Sequence, residues 1–228
     1  MNFEYTKDSA NPLVTVILRK GEHILLERGS MTYQCGNVEL EAQLNANGKT
    51  GFGGAMSALG RSMVSGESAL ITKATGLADG ATIAFAPCIP GEIRELTVNE
   101  NEKWSINNGA FLACGEGVNY EMKRQSLGKA VLGSGGLFVM STTGIGSVLI
   151  YACGDVVEIA LDGTRSVLVD NARALAWSSG LDYKPRAASG KLGVLSGEGF
   201  VNEYSGVGTI LVQTRDLKSV ISSVAVRS

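Results

Sequence analysis

Short apolar runs separated by small polar turns fill most of the chain. An apolar run at 13–18 ends at turn residues 19–22, and a second run follows at 23–27. Runs of this length, bounded by glycine or polar clusters and rich in β-branched residues, predict β-strands. We expect 23–27 to be the return strand of a hairpin with 13–18. The pair Gly36-Asn37 predicts another hairpin turn before a strand at 38–42.

One pattern recurs along the chain: a small turn, an apolar strand, a Gly-x-Gly turn and a second apolar strand. Its copies occupy 197–211, 135–149 and, in a looser form, 66–83. We interpret them as three copies of one hairpin unit. Because so short a reversal needs the conformational freedom of glycine, we predict positive φ angles at the turn glycines. These are Gly144, Gly146, Gly206 and Gly208.

A steady spacing between equivalent residues extends the repeat beyond this pattern. Tyr120 and Tyr183 lie 63 residues apart, and Gly144 and Gly206 lie 62 apart. A repeat of this length is a supersecondary unit whose apolar face needs its neighbours. The spacing therefore predicts a single domain over 1–228, built of three tandem units and a C-terminal tail. The units are approximately 13–87, 88–152 and 153–214.

The first predicted unit is the longest because it includes a small-residue loop and a candidate helix. Met56, Leu59 and Met63 lie at the spacing of one helix face, so a short helix is predicted over 55–64. The rest of the pattern is that of short strands. We therefore expect an all-β protein with one or two short helices.

Composition agrees with a compact, turn-rich protein. Hydrophobic residues make up 44% of the 228 residues and charged residues 18%, and there are 30 glycines. A chain of this size can bury a substantial core. The net charge is −2 and the sequence pI is about 5.6. Nucleic-acid binding draws on a basic stripe that neutralises phosphates, so the lack of any basic run disfavours nucleic acid as a partner.

The cysteines argue against a metal site. Cys35, Cys88, Cys114 and Cys153 are dispersed and form no C-x-x-C pair, and His23 is the only histidine. This inventory does not match a zinc site. Dispersed cysteines and an amino terminus without a signal-peptide pattern predict a cytoplasmic location. No run approaches the ~18 apolar residues of a membrane span.

Several ordered motifs resemble those of the mitochondrial biogenesis family named for altered inheritance of mitochondria, number twenty-four in that series. Together they cover nearly the whole chain in the order expected of the family. The motifs are Glu27-Arg28-Gly29-Ser30-Met31, Arg61 with Ser65-Gly66-Glu67-Ser68, Ala86-Pro87 with Pro90-Gly91-Glu92-Ile93, Gly109-Ala110-Phe111-Leu112-Ala113, Ser196-Gly197-Glu198-Gly199-Phe200, and Gly206-Val207-Gly208 before Gln213-Thr214-Arg215.

The resemblance implies three units similar to the tryptophan RNA-binding attenuation protein, in a double-stranded β-helix-like, pseudo-threefold arrangement. It implies no established catalytic residues and no cofactor. In eukaryotic relatives the family is linked to inner-membrane organisation in mitochondria. The amino terminus of this chain has no transit-peptide pattern, so that location is not carried over.

The candidate site residues are weak and each has a structural alternative. Glu67 and Glu198 occupy equivalent turn positions of the repeat, and Arg61 lies close to Glu67 in sequence. Two carboxylates can form an acid/base pair, but we expect them to accept backbone N–H bonds in their turns. His23 is expected to be a half-exposed strand residue instead of part of a Ser-His-Asp relay. Gly48-Lys49-Thr50 resembles the end of a phosphate-binding loop but lacks its first glycine, so we expect a surface loop.

These observations predict a non-enzymatic scaffold or binding protein that acts through a protein partner or self-association. The alternative is a small-ligand or RNA-binding module by analogy with the attenuation-protein fold, and fold analogy is weak evidence for function. A hydrolase of unspecified type is the least favoured hypothesis. We expect neither a metal nor a cofactor.

Overall fold

The computed structural model describes residues 1–6, 10–44, 70–124, 138–187 and 200–216. These residues form nineteen β-strands and one 3-10 turn, Asn108–Ala110. The all-β prediction is therefore confirmed. The helix predicted over 55–64 and the tail beyond 216 lie outside the described residues.

The strands are β1 Phe3–Tyr5, β2 Val14–Leu18, β3 His23–Glu27, β4 Met31–Cys35, β5 Val38–Leu44, β6 Leu70–Gly76, β7 Ala81–Phe85, β8 Ile93–Val98, β9 Trp104–Asn107, β10 Phe111–Gly115, β11 Val118–Arg124, β12 Phe138–Gly144, β13 Gly146–Tyr151, β14 Val156–Asp162, β15 Val167–Asp170, β16 Ala174–Ser178, β17 Asp182–Ala187, β18 Phe200–Ser205 and β19 Val207–Gln213.

The strands build four antiparallel sheets. In the first sheet the order is β1-β2-β7-β4, and in the second it is β5-β6-β3-β10-β13-β8. The third has the order β11-β12-β9-β16-β19-β14, and the fourth has β15-β18-β17. The two central sheets thus have six strands each, while the outer sheets have four and three.

One pairing scheme recurs in three successive groups of six strands, β2–β7, β8–β13 and β14–β19. In each group the first strand pairs with the sixth and the second with the fifth. The third strand also pairs with the sixth, and the fourth with the fifth. The third strand carries a register shift at the same place each time, after Met31, Phe111 and Ala174. Such a bulge adds one residue and bends the strand.

Successive groups are joined by the second strand of one and the third strand of the next. β3 pairs with β10, with Leu26 opposite Ala113, and β9 pairs with β16, with Ile106 opposite Ala176. Each central sheet therefore contains three strands from one group and three from the next. The three groups thus form a row. Apart from β1, the first sheet contains strands of the first group only, and the fourth sheet contains strands of the last group only.

The hydrophobic core consists of three clusters, each drawn from two successive sheets. The first cluster includes Val16 and Ile83 of the first sheet and Leu112 of the second. Strand alternation explains the composition, since Val16 is fully buried while the next residue, Ile17, is 57% exposed. The second cluster lies between the central sheets, and the third, around Trp177, joins the third and fourth sheets.

The predicted hairpin pairings are wrong, although the strands and turns are where the pattern placed them. β2 lies in the first sheet and β3 in the second, so 23–27 is not the return partner of 13–18. β4 and β5, on either side of Gly36-Asn37, also lie in different sheets. The Gly-x-Gly turns likewise link β12 to β13 and β18 to β19, strands of different sheets. An apolar strand has the same pattern whichever strand pairs with it, so the local sequence does not specify the pairing.

The predicted backbone conformation of the turn glycines is confirmed. The φ angles are 92° at Gly144, 155° at Gly146, 107° at Gly206 and 155° at Gly208. Side chains strongly disfavour this region, so these residues let the chain leave one sheet and enter the next within a single turn.

Replacing Gly206 by alanine tests the strain at this turn. An added Cβ has room, since its nearest neighbour, Leu181 Cδ2, lies 3.6 Å away. The φ angle remains unfavourable for any side chain, so we expect Gly206→Ala to lower the free energy of unfolding by ~1–3 kcal/mol. Chemical denaturation measures the loss. Gly180→Ala is the matched control because Gly180 is not a positive-φ glycine and an added Cβ has room there, with no atom within 4 Å. Equal stability of the two variants would contradict the strain account.

Candidate functional site

Of the candidate site residues weighed above, only His23 lies among the described residues. Arg61, Glu67 and Glu198 lie outside the described residues, as does the Gly48-Lys49-Thr50 loop. His23 opens β3 and is partly exposed. Its Nδ1 lies 3.2 Å from Oε2 of Glu116, and that oxygen also accepts the His23 backbone N–H at 3.4 Å. Glu116 therefore holds His23 against the turn that precedes β11.

Three chain segments that lead into β2, β8 and β14 meet at one place. The Gly91 N–H donates to the Ala10 carbonyl at 3.0 Å, and the Glu92 N–H donates to the Gly154 carbonyl at 2.8 Å. Gly91 and Gly154 also form an isolated parallel bridge. A Cβ added to Gly91 would lie 1.9 Å from the carbonyl oxygen of Ala152, so only glycine allows this approach.

Glu92 is the polar centre of this meeting point. Its Oε1 accepts bonds from Arg94 Nε at 3.1 Å and Nη2 at 2.7 Å. Its Oε2 accepts the backbone N–H of Val156 at 2.8 Å. Hydrogen bonds to an ionised group are roughly twice as strong as neutral ones. The carboxylate thus fastens β8 to the start of β14, and both of its oxygens are used in doing so.

A cavity of about 430 Å³ opens beside the meeting point. Tyr5, Pro12 and Ile93 form part of its mainly apolar wall, and Glu92 and Asp155 are also among its lining residues. The Tyr5 hydroxyl donates to Glu95 at 3.3 Å, and burial, with the charge of Glu95, raises the pKa of Tyr5. The volume of the cavity lies within the range of small-molecule pockets.

A carboxyl–phenol pair joins the ends of β3 and β13. The Tyr151 hydroxyl donates to Oε1 of Glu27 at 3.2 Å. Burial raises the pKa of Glu27 to about 7, although the hydrogen bond from Tyr151 lowers it in part. Burial and the neighbouring Glu27 and Cys88 raise the pKa of Tyr151. A carboxyl that titrates near neutral pH can exchange a proton, and such groups occur both in functional sites and in structural networks.

The thiols are free and fall into two kinds. Cys114 and Cys153 are buried, whereas Cys35 and Cys88 are exposed. Burial raises the pKa of Cys114 to about 12, so that thiol stays protonated and unreactive at neutral pH. Within the described ranges, no group of three or more His, Cys, Asp or Glu side chains is arranged to hold a metal ion.

Each of the four described sheets has two edge strands that pair on one side only. Two of these edges lie at opposite ends of the row of groups, where no further group follows among the described strands: β4 in the first sheet and β15 in the fourth. Every residue of β4 is exposed, whereas β10, its counterpart in the second group, is buried throughout. Tyr33 of β4 is 46% exposed and Leu168 of β15 is 57% exposed.

Sequence reasoning missed Glu27, Glu92 and the two open edges. Both glutamates lie in motifs quoted above for the family resemblance, but they were not weighed as site residues. A carboxylate that ends an apolar strand, as Glu27 does, is the local signal that could have drawn attention to it. The partners of both glutamates come from distant parts of the chain, so their bonds could not be read from spacing.

The described residues define an all-β protein whose antiparallel sheets are shared between successive groups of strands. The chain belongs to the mitochondrial biogenesis AIM24 family, whose model matches residues 3–215. It is 41% identical over 220 residues to a protein of Streptococcus pyogenes serotype M6, M6_Spy0233, covering 96% of this chain and 87% of that protein. It is also similar to the crystal structure of protein SPYM3_0169 from Streptococcus pyogenes. That similarity has a TM-score of 0.82 and 37% identity, over 100% of this chain and 99% of the other.

Among the described residues, no helix has the length and apolar character needed to cross a membrane.

Glu27 gives the protein a specific pH dependence of stability. The folded protein keeps this proton up to about pH 7, whereas the unfolded carboxyl loses it near the usual 4.5. Between these values the folded state binds more protons, so the free energy of unfolding falls as pH rises from about 4.5 to about 7. Glu27→Gln removes this contribution. Denaturant titrations at steps from about pH 4 to 8 should therefore show that the free energy of unfolding of the variant rises relative to that of the wild type as pH rises.

The matched control is Glu39→Gln, which neutralises an exposed carboxyl in β5. Its stability should parallel that of the wild type over the same range. A Glu27→Gln profile that also runs parallel to the wild type would show that Glu27 is not the titrating group.

Proposed function

We propose that this protein is a non-enzymatic scaffold or binding protein that associates through the open edges β4 and β15. The observation that carries the proposal is that, among the described strands, the sheets at the two ends of the row have only four and three strands, against six in each central sheet. An unpaired strand presents a row of backbone donors and acceptors, and such an edge is either protected or used for pairing. We place this activity in the cytoplasm, which four free cysteines support.

We further propose that the three six-strand groups are the predicted units 13–87, 88–152 and 153–214, of the attenuation-protein type. The recurring pairing scheme and the shared bulge support this. Tyr120 and Tyr183 both lie in the fourth strand of their groups, opposite Thr142 and Tyr204 of the fifth. A unit that completes its sheets with its neighbours leaves incomplete sheets at the two ends of the row.

The absence of catalysis is part of the proposal. General acid/base and nucleophilic mechanisms need a base oriented by a third group, or a metal. The described candidates have structural partners instead: Glu92 binds Arg94, and Glu27 accepts a bond from Tyr151. His23 is paired with Glu116.

A small-ligand-binding module is the second candidate. The cavity beside Gly91 favours it, because three chain segments converge there around a mainly apolar wall. RNA as the ligand rests on fold analogy alone, and the net charge of −2 speaks against it.

An activity screen tests the non-enzymatic part of the proposal. We expect no turnover of generic esterase, phosphatase, protease or glycosidase substrates by the purified protein. His23→Ala, Glu67→Gln and Glu198→Gln should leave this unchanged. The two glutamate variants should lose ~1–2 kcal/mol of stability each if the carboxylates hold turn amides. Turnover that follows the protein and is lost in a glutamate variant of normal stability would identify an enzyme.

A matched pair of surface variants tests the binding part. Leu168→Lys places a charge on the open edge of β15, whereas Leu77→Lys makes the same change at a turn residue of similar exposure, 50%. Native mass spectrometry and capture on the immobilised protein should show association by the wild type and by Leu77→Lys. Leu168→Lys should lose most of it. Equal behaviour of the two variants would rule out β15 as the binding edge.

A further inference from the structure

We propose that a cavity between the second and third groups binds a primary ammonium group on a short, unbranched apolar chain. This is the chemistry of an amino-terminal methionine. The cavity lies at the second of the two internal junctions between groups, where β9 pairs with β16; at the first junction β3 pairs with β10. Its lining shares no residue with the open edges β4 and β15 or with the cavity beside Gly91, so the inference goes beyond the proposed function.

The two junctions place a glutamate at the same position. Leu26 of β3 and Ile106 of β9 are equivalent, because each lies opposite the first paired residue after the bulge of the neighbouring strand. Glu22 precedes Leu26 by four residues, as Glu102 precedes Ile106. In both glutamates Oε2 accepts a hydrogen bond from the residue three positions earlier, at 3.0 and 2.8 Å. The Oε1 atom of each carboxylate is left for another partner.

At the first junction that partner is the amino-terminal residue of this chain. The Met1 amine lies 4.0 Å from Oε1 of Glu22. A Cβ added to Gly115, at the end of β10, would lie 3.8 Å from the Met1 sulfur. Glu22 is half-buried in this arrangement. The first junction therefore binds an ammonium group and an unbranched apolar side chain together.

The cavity has a volume of about 540 Å³ and lies at the equivalent place of the second junction. Glu102 lines it, and so does Ser178, which is equivalent to Gly115 because each follows the alanine of its junction by two residues. Glu102 is exposed, and its Oε1 forms no hydrogen bond or ion pair with another described residue. The oxygen that holds the amine at the first junction is thus accessible to a ligand at the second.

The surroundings of Glu102 suit the apolar part of the ligand. A distance of 3.8 Å between Cβ and sulfur is an ordinary van der Waals contact, so the Cβ of Ser178 leaves room for a chain like that of Met1. Trp104 and Val207 supply apolar surface in the lining. Tryptophan also attracts cations to its ring face, and an unbranched thioether chain adapts to irregular space.

Lys103 is the one cation among the described residues that line the cavity. It is adjacent to Glu102 in sequence and exposed, so its charge opposes an ammonium ligand, although solvent weakens the repulsion. Removing the charge of Lys103 should therefore strengthen binding, whereas removing that of Glu102 should weaken it. A ligand bound through its apolar chain alone would show neither effect.

Fluorine NMR of the full chain labelled with fluorotryptophan measures the binding. Trp104 lines the cavity, whereas Trp177 is buried in the cluster between the third and fourth sheets. The probe is Met-Asn-Phe amide, the first three residues of this chain. We expect it to shift the Trp104 signal saturably and to leave the Trp177 signal in place. The N-acetyl form of the peptide, which has no ammonium group, should bind about threefold or more weakly. Trp104→Phe assigns the signal.

Three variants test the charges. Glu102→Gln should raise the dissociation constant of the peptide about threefold or more, as expected for an accessible ion pair. Lys103→Gln should lower it. Glu22→Gln is the matched control, since it makes the same change at the first junction, and it should leave the titration of the Trp104 signal unchanged.

Methionine amide distinguishes two sources of this ligand chemistry. Methionine amide that binds as tightly as the tripeptide would identify a free amine as the ligand. A tripeptide that binds more tightly would identify the amino terminus of a polypeptide.

Any of four results would overturn the inference. The Trp104 signal could fail to shift at peptide concentrations up to about 10 mM. The N-acetyl peptide could bind as tightly as the free one, or Glu102→Gln could bind as well as the wild type. Loss of binding in Glu22→Gln would show instead that the peptide displaces Met1 at the first junction. The edges β4 and β15 play no part in these measurements, so the proposed function would stand in each case.

Discussion

Backbone hydrogen bonding between the second strand of one group and the third strand of the next is the interaction on which the fold depends. Without it, each group would consist of two three-stranded half-sheets. The cluster between the central sheets draws residues from all three groups, from Ile71 in β6 to Leu211 in β19. Most of its residues belong to the middle group, whose two half-sheets face each other, and Ile71, Leu175, Ala176 and Leu211 of the neighbouring groups complete it. Sheet continuation through β3 and β9 therefore adds the neighbours' side chains to a core that the middle group begins.

Local pattern was enough to predict the strand-rich class, the turns and the left-handed glycines. Those features depend on residues near each other in sequence, as at Gly206, where φ is fixed by the turn itself. The pairing of strands was not predictable in this way. Alternation in β2 shows which face is buried but not which strand covers it, and consecutive strands lie in different sheets. A bulge adds to the difficulty, since it puts Leu112 and Ala113 on one face and breaks the alternation.

The polar sites show the same limit. Burial raises the pKa of Glu27, and the hydrogen bond that partly offsets this effect comes from Tyr151, 124 residues away in sequence, so no local motif encodes the pair. Glu92 likewise depends on Val156, which is brought close by the bridge between Gly91 and Gly154. The equivalence of Glu67 and Glu198 could be seen in the repeat. Equivalent positions in a repeat are evidence for the same turn structure, however, and not for the same chemical role.

The identical register of the two internal junctions has a consequence for the history of the chain. Leu26 and Ala113 meet in the same way as Ile106 and Ala176, so a junction does not depend on which two groups it joins. A gene segment encoding one whole group, about 63 residues by the spacing of Tyr120 and Tyr183, can be copied or lost without creating a new kind of contact. Chain length in this architecture can therefore change in discrete steps. A change of any other size would have to be absorbed in the connections between strands.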